Sequence, residues 1–391
     1  MKILFIKDRL AWPRSSGHDV HSYHMMAALA RLGHEVSLAT AVAAAEEAVA
    51  GLPLAHRLVL GEGRVDDERI RLSPAQERFR SYWGVDRGRI AAVRDASDSV
   101  GAEAVVVVGL GVLPYLSAIR GPCRVWYAGD EWVWHHLSQV RAGDPSSWPN
   151  LRDAAVKGLY EWAYAGLVDR AWVVSEADRR ALSPIIGWGK VDVVPNGVDG
   201  GHFLATPAEP IERSCVFWGR LDFGPNIQAI EWFCRRVWPK VLESTSDARF
   251  TIYGFHPTPR IEGLADLEGV DLVPDLPDLR SEIVRHQVVV LPFVSGGGIK
   301  NKLLEAASLA RAIVCSPAAG NGLRGASPPP WIVARSPRHW VEALRGLWKD
   351  PDRRDSFGES ARRWVLENHT WEAAAKVAGA GLESTEGGTS P

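Results

Sequence analysis

The 391-residue sequence is short of cysteine, has no long apolar run and carries almost no net charge. Each shortage closes off a class of protein. Its four cysteines, Cys123, Cys215, Cys234 and Cys315, show no CxxC spacing and no short-range histidine partner of zinc-finger type. They are expected as buried, reduced thiols acting as small hydrophobes. No run approaches the roughly 20 apolar residues that span a bilayer. The opening Met1-Lys2-Ile3-Leu4-Phe5-Ile6 is too short for the apolar core of a signal peptide and reads at once as a strand, which points to the cytoplasm. Lys+Arg 45 against Asp+Glu 47 leaves a net charge of -2, so no sequence-wide basic excess draws the chain to nucleic acid or anionic lipid. The Gly-x-Gly-x-x-Gly fingerprint of a dinucleotide-dependent dehydrogenase is also missing. Tryptophan, by contrast, is abundant: 17 residues against 10 Phe and 7 Tyr.

Along the chain, short β-rich apolar runs alternate with longer helical patterns. In the first half the runs are Ile3–Ile6, Val36–Ala39, Ala104–Val108, Arg124–Tyr127, Trp172–Ser175 and Val191–Val194. The second half repeats the rhythm with Cys215–Trp218, Phe250–Tyr253, Val270–Val273, Val288–Pro292, Ala312–Cys315 and Trp331–Val333. Continuous apolar runs suit parallel strands buried on both faces, and intervening helices make βαβ units. The expected class is therefore α/β, with two doubly wound Rossmann-like domains leaving a ligand cleft between the carboxyl ends of their strands. Turn formers from Pro195 to Gly201 and the prolines Pro207 and Pro210 mark a linker. The division is residues 1–196, residues 197–360, a C-terminal helix over 361–380 returning to the first domain, and a disordered tail 381–391.

Chemistry concentrates where the strand ending at Pro292 runs into Gly296-Gly297-Gly298 and then a helix starting near Ile299 or Lys300. Strand, glycine loop and helix start together form an anion site, because free N–H groups and the helix dipole face outward. Lys300 and Lys302 oppose that dipole in the first turn, which makes better sense beside a bound anion. Glu305 stands where it can accept hydrogen bonds from ribose hydroxyls. A plain βα turn with solvated lysines is the competing reading.

The stretch Gly-Gly-Gly-Ile-Lys-Asn-Lys-Leu-Leu-Glu-Ala-Ala, residues 296–307, resembles the nucleotide-sugar motif of retaining glycosyltransferases of family 4, which have the GT-B fold. It looks closest to bacterial members with a Gly-x-Gly-Ile-Lys-Asn-Lys loop. Further resemblances are Val194–Asp199, Phe217–Asn226, Ile252–Pro259, Val173–Asp178 and Arg362–Trp371, in the family's order and over nearly the whole chain. The resemblance implies a donor site of Gly17, Gly219, Gly254, Asp275, Gly297, Gly298, Ile299, Asn301, Lys302 and Glu305. Glu305 matches the second of two loop glutamates in many members; the first falls on Gly297. Arg220 matches an arginine facing the leaving diphosphate. Pro225 stands where many relatives have a lysine, and Lys300 is the candidate to replace it.

In the first domain, Gly17, His18, His21 and His24 follow the first strand. The i, i+3, i+6 spacing diverges on a helix, so contact with donor or acceptor is favoured over a metal site. Asp130 is the expected acceptor carboxylate and Glu131 its competitor, a helix cap being the alternative role. Glu176 reads equally as a helix-start residue. Trp132 and Trp134, near Asp130, are candidate acceptor contacts. Exposed tryptophans there would stack on a sugar ring or apolar aglycone, or dock the protein at the inner membrane face. The implied reaction moves a hexosyl group, with retention, from a nucleotide-diphosphate sugar (UDP first, GDP next) to a hydroxyl acceptor. No metal, cofactor or nucleic acid is implied. A nucleotide-sugar epimerase of the same architecture and a nucleotide-binding pseudoenzyme are the rivals.

Overall fold

The computed structural model describes the chain except for residues 13–16, 62–69, 130–131, 138, 141–142, 144, 202, 204–207, 277, 295–299, 321–322, 324, 326 and 387–391; at 134, 135, 146, 385 and 386 it describes the main chain alone. The chain divides into two compact units. One is Met1–Asn196 with Trp371–Pro391, the other Gly197–Thr370.

Seven strands form the sheet of the first unit: β1 Lys2–Lys7, β2 Glu35–Thr40, β3 Arg57–Val59, β4 Ala104–Val108, β5 Cys123–Gly129, β6 Arg170–Val173 and β7 Val191–Val193. Their order is β3-β2-β1-β4-β5-β6-β7 and every pairing is parallel. The alternation of side chains divides the core into two layers. Leu4, Ile6, Val105 and Val107 pack on one face with Ile90, Tyr160 and Leu182. Ile3, Phe5, Val106 and Val108 pack on the other with Met25, Leu29 and, from the far end of the sequence, Trp371, Ala375 and Leu382. The valines of β4 are buried on both faces, the reason this strand carries no polar residue.

The second unit has six parallel strands: β8 Ile211–Arg220, β9 Arg249–Phe255, β10 Val270–Pro274, β11 His286–Leu291, β12 Ala312–Cys315 and β13 Ile332–Val333. Their order is β10-β9-β8-β11-β12-β13. Phe233, packed at 4.8 Å from Phe250 and 5.6 Å from Trp340, sits at the centre of an aromatic core under helix Gly224–Arg236. In both units the strand order reverses once, between β1 and β4 and between β8 and β11. Ligands of such sheets bind at the carboxyl ends of the strands beside that reversal.

All twelve apolar runs are strands, and both sheets are doubly wound as the sequence predicts. β3 was not foreseen: Arg57-Leu58-Val59 is a short edge strand with Val59 58% exposed, so it has no apolar run to announce it. The single C-terminal helix expected over 361–380 is two, Pro351–Asn368 and Trp371–Glu386. Between them the main chain is taken by Val198, whose N–H donates to the His369 carbonyl (2.9 Å) and which bridges Thr370 in parallel. Part of the expected tail is also ordered: 381–386 is helical and Leu382 is buried. Residues 387–391 lie outside the described residues. All four cysteines are free; Cys215, Cys234 and Cys315 are buried and Cys123 half-buried. Among the described residues no helix is long and apolar enough to cross a membrane.

Candidate functional site

In the second unit, the predicted residues converge on the carboxyl ends of β10, β9, β8 and β11. Gly219 and Gly254 are register partners on β8 and β9, with φ of +141° and +157°. A Cβ on Gly254 would lie 1.8 Å from the Gly219 carbonyl oxygen, so no other residue fits there. Asp275, in the left-handed region at φ +58°, donates its N–H to the Gly254 carbonyl at 3.0 Å as the chain leaves β10.

Helix Asn301–Ser308 follows β11, with Lys300 as its capping residue. The Lys302 ammonium lies 5.6 Å from the Phe217 ring centre, 5.9 Å from that of Phe293 and 3.4 Å from Asn226 Oδ1. It also covers Gly219, where an added Cβ would fall 2.6 Å from its Nζ. Burial pushes Lys302 down to about 8; Glu305 opposes the shift and Lys300 adds to it. Lys300 lies 5.4 Å over the same Phe293 ring, so the aromatic pair carries two cations. Glu305 accepts a hydrogen bond from Trp218 Nε1 at 3.0 Å. Burial raises its carboxyl above the ordinary range, against the pull of Lys302 and the Trp218 bond. Trp218 thus belongs both to the core and to the site.

Arg220 forms a two-pronged pair with Asp222, at 3.0 and 2.6 Å. The bond to Asp222 holds the guanidinium's pKa up and the carboxylate's down. Asn226, one residue past Pro225, donates its Nδ2 to the Arg220 carbonyl at 2.7 Å while its Oδ1 faces Lys302. The cation brought against Asn226 is Lys302, whereas Lys300, the expected replacement for the lysine lost at Pro225, lies over Phe293. Gly297, Gly298 and Ile299 lie outside the described residues. A helix start, Lys302 over a glycine edge, Lys300 beside it over Phe293 and a neighbouring carboxylate can bind a diphosphate and the hydroxyls attached to it.

In the first unit, Gly17 opens helix Gly17–Arg31, and a Cβ there would meet nothing within 4 Å. The His18 ring lies against Gly109 and Gly129, after β4 and at the end of β5: a Cβ on either would stand 3.4 Å from Nδ1 or 3.5 Å from Nε2. Trp132 is 6.0 Å away, ring to ring. Burial first, then Lys7, hold His18 down at about 4 despite Asp19, so its imidazole is neutral at pH 7. Lys7 and Asp19 pair at 2.7 Å. His21 packs between Tyr127 and Trp371, and His24 stacks on Trp371 at 5.2 Å, so these two share an indole that is not a neighbour of the His18 ring at Gly109 and Gly129. Among the described residues no group of three His, Cys, Asp or Glu could hold a metal ion. Glu176 opens helix Glu176–Ile186 and pairs with Arg179 at 3.4 Å. Asp130 and Glu131 lie outside the described residues, as does the side chain of Trp134. Trp126, buried, donates to the Gly109 carbonyl and belongs to the core.

Sequence reasoning missed six participants. Phe217, Trp218, Asp222 and Asn226 stand inside the quoted stretch Phe217–Asn226 without a role, and Phe293 directly follows the run Val288–Pro292. Asp8, the first acidic residue after β1, accepts from the Tyr115 hydroxyl at 3.2 Å beside the strand-order reversal.

Residues 212–350, all within the second unit, match the family described as Glycosyl transferases group 1. No curated protein matches the sequence. Among solved structures, the chain is similar to sucrose-phosphate synthase from Thermosynechococcus elongatus, with 16% identity, 99% of this chain and 100% of that chain covered, and a TM-score of 0.71. HepE from Anabaena, solved in complex with UDP and glucose, has 14% identity, coverage of 98% and 100%, and a TM-score of 0.67. A putative UDP-N-acetylglucosamine 2-epimerase from Listeria monocytogenes has 12% identity, coverage of 100% and 97%, and a TM-score of 0.56. The fold is that of the GT-B glycosyltransferases: two parallel-sheet Rossmann-like domains of seven and six strands.

Proposed function

We propose that the protein is a glycosyltransferase that moves a hexosyl group from a nucleotide-diphosphate sugar, UDP-linked by preference over GDP-linked, to a hydroxyl of a glycan, lipid-linked or small-molecule acceptor. The carrying observation is the seating of Lys302 over Gly219 and between Phe217 and Phe293, with Lys300 and Glu305 beside it, at the strand-order reversal of the second unit. The family match over 212–350 and the likeness to HepE, solved with UDP and glucose, support the same reading.

In this reading Glu305 takes the ribose hydroxyls, and Gly219, Gly254, Gly297, Gly298, Ile299 and Asn301 let the donor approach the main chain. Asp275 marks the loop that meets the base. Arg220, Lys300 and Lys302 stabilise charge on the departing diphosphate, the main electrostatic contribution. Arg220 must exchange Asp222 for the diphosphate, which is inexpensive because the pair is largely exposed. Gly17, His18, His21, Asp130, Glu131, Trp132 and Trp134 serve the sugar and acceptor. The resemblance of residues 296–307 implies retention; with no carboxylate assigned as nucleophile, the route is front-face, the leaving phosphate helping to deprotonate the acceptor and no metal required. The enzyme acts in the cytoplasm.

Thermal-shift measurements with a panel of nucleoside diphosphates and nucleotide sugars test the binding half, with stabilisation by UDP expected. Nuclear magnetic resonance of the product tests the chemistry, and an inverted anomeric centre would refute the retaining route. Conversion of a nucleotide sugar to an isomer without acceptor would replace the transferase reading by an epimerase. Binding without transfer or slow donor hydrolysis would leave a pseudoenzyme.

A further inference from the structure

Helix Pro149–Tyr164 of the first unit carries a feature that neither substrate explains. One face is anchored: Ala154, Tyr160 and Tyr164 are buried, and the two tyrosine hydroxyls donate to the carbonyls of Leu110 (2.9 Å) and Gln76 (2.7 Å). The opposite face presents Trp148 at 58% exposure, Leu151 at 48%, Leu159 at 58% and Trp162 at 67%, with exposed Ala155 between them. Scattered exposed apolar residues are ordinary, but these five share one stripe about 21 Å long.

The stripe reads the same in both directions. Its steps are three, four, four and three residues, and Trp, Leu, Ala, Leu, Trp is symmetric about Ala155. We infer that this face pairs with its own copy, two such helices lying antiparallel about a two-fold axis at Ala155. In that arrangement Trp148 of one copy meets Trp162 of the other, Leu151 meets Leu159, and Ala155 meets Ala155. A small residue on the axis lets two helices approach to about 8 Å, and self-complementarity is what an isologous contact demands. Arg152, the charged side chain beside the row, is engaged by Asp153 of its own helix at 3.3 Å. Its symmetry copy would stand six positions away, about 9 Å along the axis, so no like charges face each other. A lipid surface is the poorer occupant. Interfacial helices gather lysine and arginine, whereas this one carries Arg152 and Lys157 against Asp153 and Glu161, and a bilayer has no use for a mirrored order.

The test uses the full chain in sedimentation equilibrium. The wild type should approach twice 42.8 kDa, with a dissociation constant in the micromolar range for a seam of this size. Trp162→Asp and Leu159→Asp should each raise that constant about 100-fold with the monomer fold unchanged by circular dichroism, since each substitution strikes the two-fold seam twice. Ala155→Cys should give a disulfide-linked dimer under mild oxidation, and Arg152→Cys, off the axis, much less. A wild type that stays monomeric up to about 100 μM would overturn the inference. So would a dimer indifferent to Trp162→Asp. A dimer that depends on Trp162 yet fails to cross-link at position 155 would overturn the two-fold register. A monomer that floats with phosphatidylglycerol vesicles and loses that property in Trp162→Asp would make the stripe a lipid face instead.

Discussion

The indole N–H of Trp218 donates to Oε2 of Glu305 across 3.0 Å, tying the end of β8 to the helix that follows β11. The bond fixes one carboxylate oxygen and leaves the other for a ligand hydroxyl. Replacing Trp218 by Phe keeps an aromatic ring and removes only the donor. About 1 kcal/mol is expected from such a loss, or roughly fivefold weaker nucleoside diphosphate binding by calorimetry. Glu305→Ala should weaken it further, and equal affinity in both variants and the wild type would remove Glu305 from the site.

Lys302 gives the site a pH dependence of definite sign. Its ammonium, held down at about 8, carries its charge below that pH and loses it above. Diphosphate affinity of the free protein should therefore fall as pH rises through 8, by about tenfold per unit at most. Lys302→Met should bind at least tenfold more weakly and lose this limb of the profile. Titrations at pH 6.5 to 9.5 decide it.

Arg220→Ala should lower turnover about 100-fold while donor KM moves only a few-fold, because a charge is neutralised as it develops. Folding stability should stay within about 0.5 kcal/mol, since the Arg220–Asp222 pair is largely exposed. Intact turnover would make that pair a surface feature only.

Gly254→Ala is expected to cost about 3 kcal/mol or more, because its methyl would meet the Gly219 carbonyl oxygen at 1.8 Å. Urea unfolding of the second unit reads the effect. The conservative Gly224→Ala, where an added Cβ meets nothing within 4 Å, serves as the control.

His18 should make the first unit acid-sensitive. Its folded pKa of about 4 lies below the unfolded 6.5, so the unfolded chain takes up the proton first. The stability is whole above pH 6.5 and lost progressively towards pH 4, by about 3 kcal/mol in all. His286, also held at about 4 by burial and Arg285, acts with the same sign in the second unit. His18→Asn should remove the first contribution alone, visible as a flatter pH dependence of unfolding.

The strands were legible because parallel strands buried on both faces leave unbroken apolar runs, as in Ala104–Val108. β3 was not, since an edge strand needs no such run. The break at His369 and Thr370 was missed too: Thr370 is an N-cap type of residue, but the partner of this segment, Val198, is distant in sequence. The candidate site divides the same way. Glycine loop, lysines and Glu305 could be named from one contiguous stretch. The seat of Lys302 could not, being assembled from Phe217 on β8, Asn226 at a helix start and Phe293 after β11.

The placement of Trp371–Glu386 has a consequence for biogenesis. Trp371, Ala375, Ala378 and Leu382 complete a core layer whose other members, Ile3, Phe5, Met25 and Leu29, leave the ribosome more than 300 residues ahead of them. At about 5–20 residues per second, that apolar surface waits some tens of seconds for its cover. The Gly197–Thr370 unit is synthesised in the interval and can finish folding before its predecessor does. The layer around Ile3 and Phe5 is thus the surface most in need of a chaperone, and a ribosome that stalls after residue 370 releases a second unit ready to fold and a first that cannot complete its core.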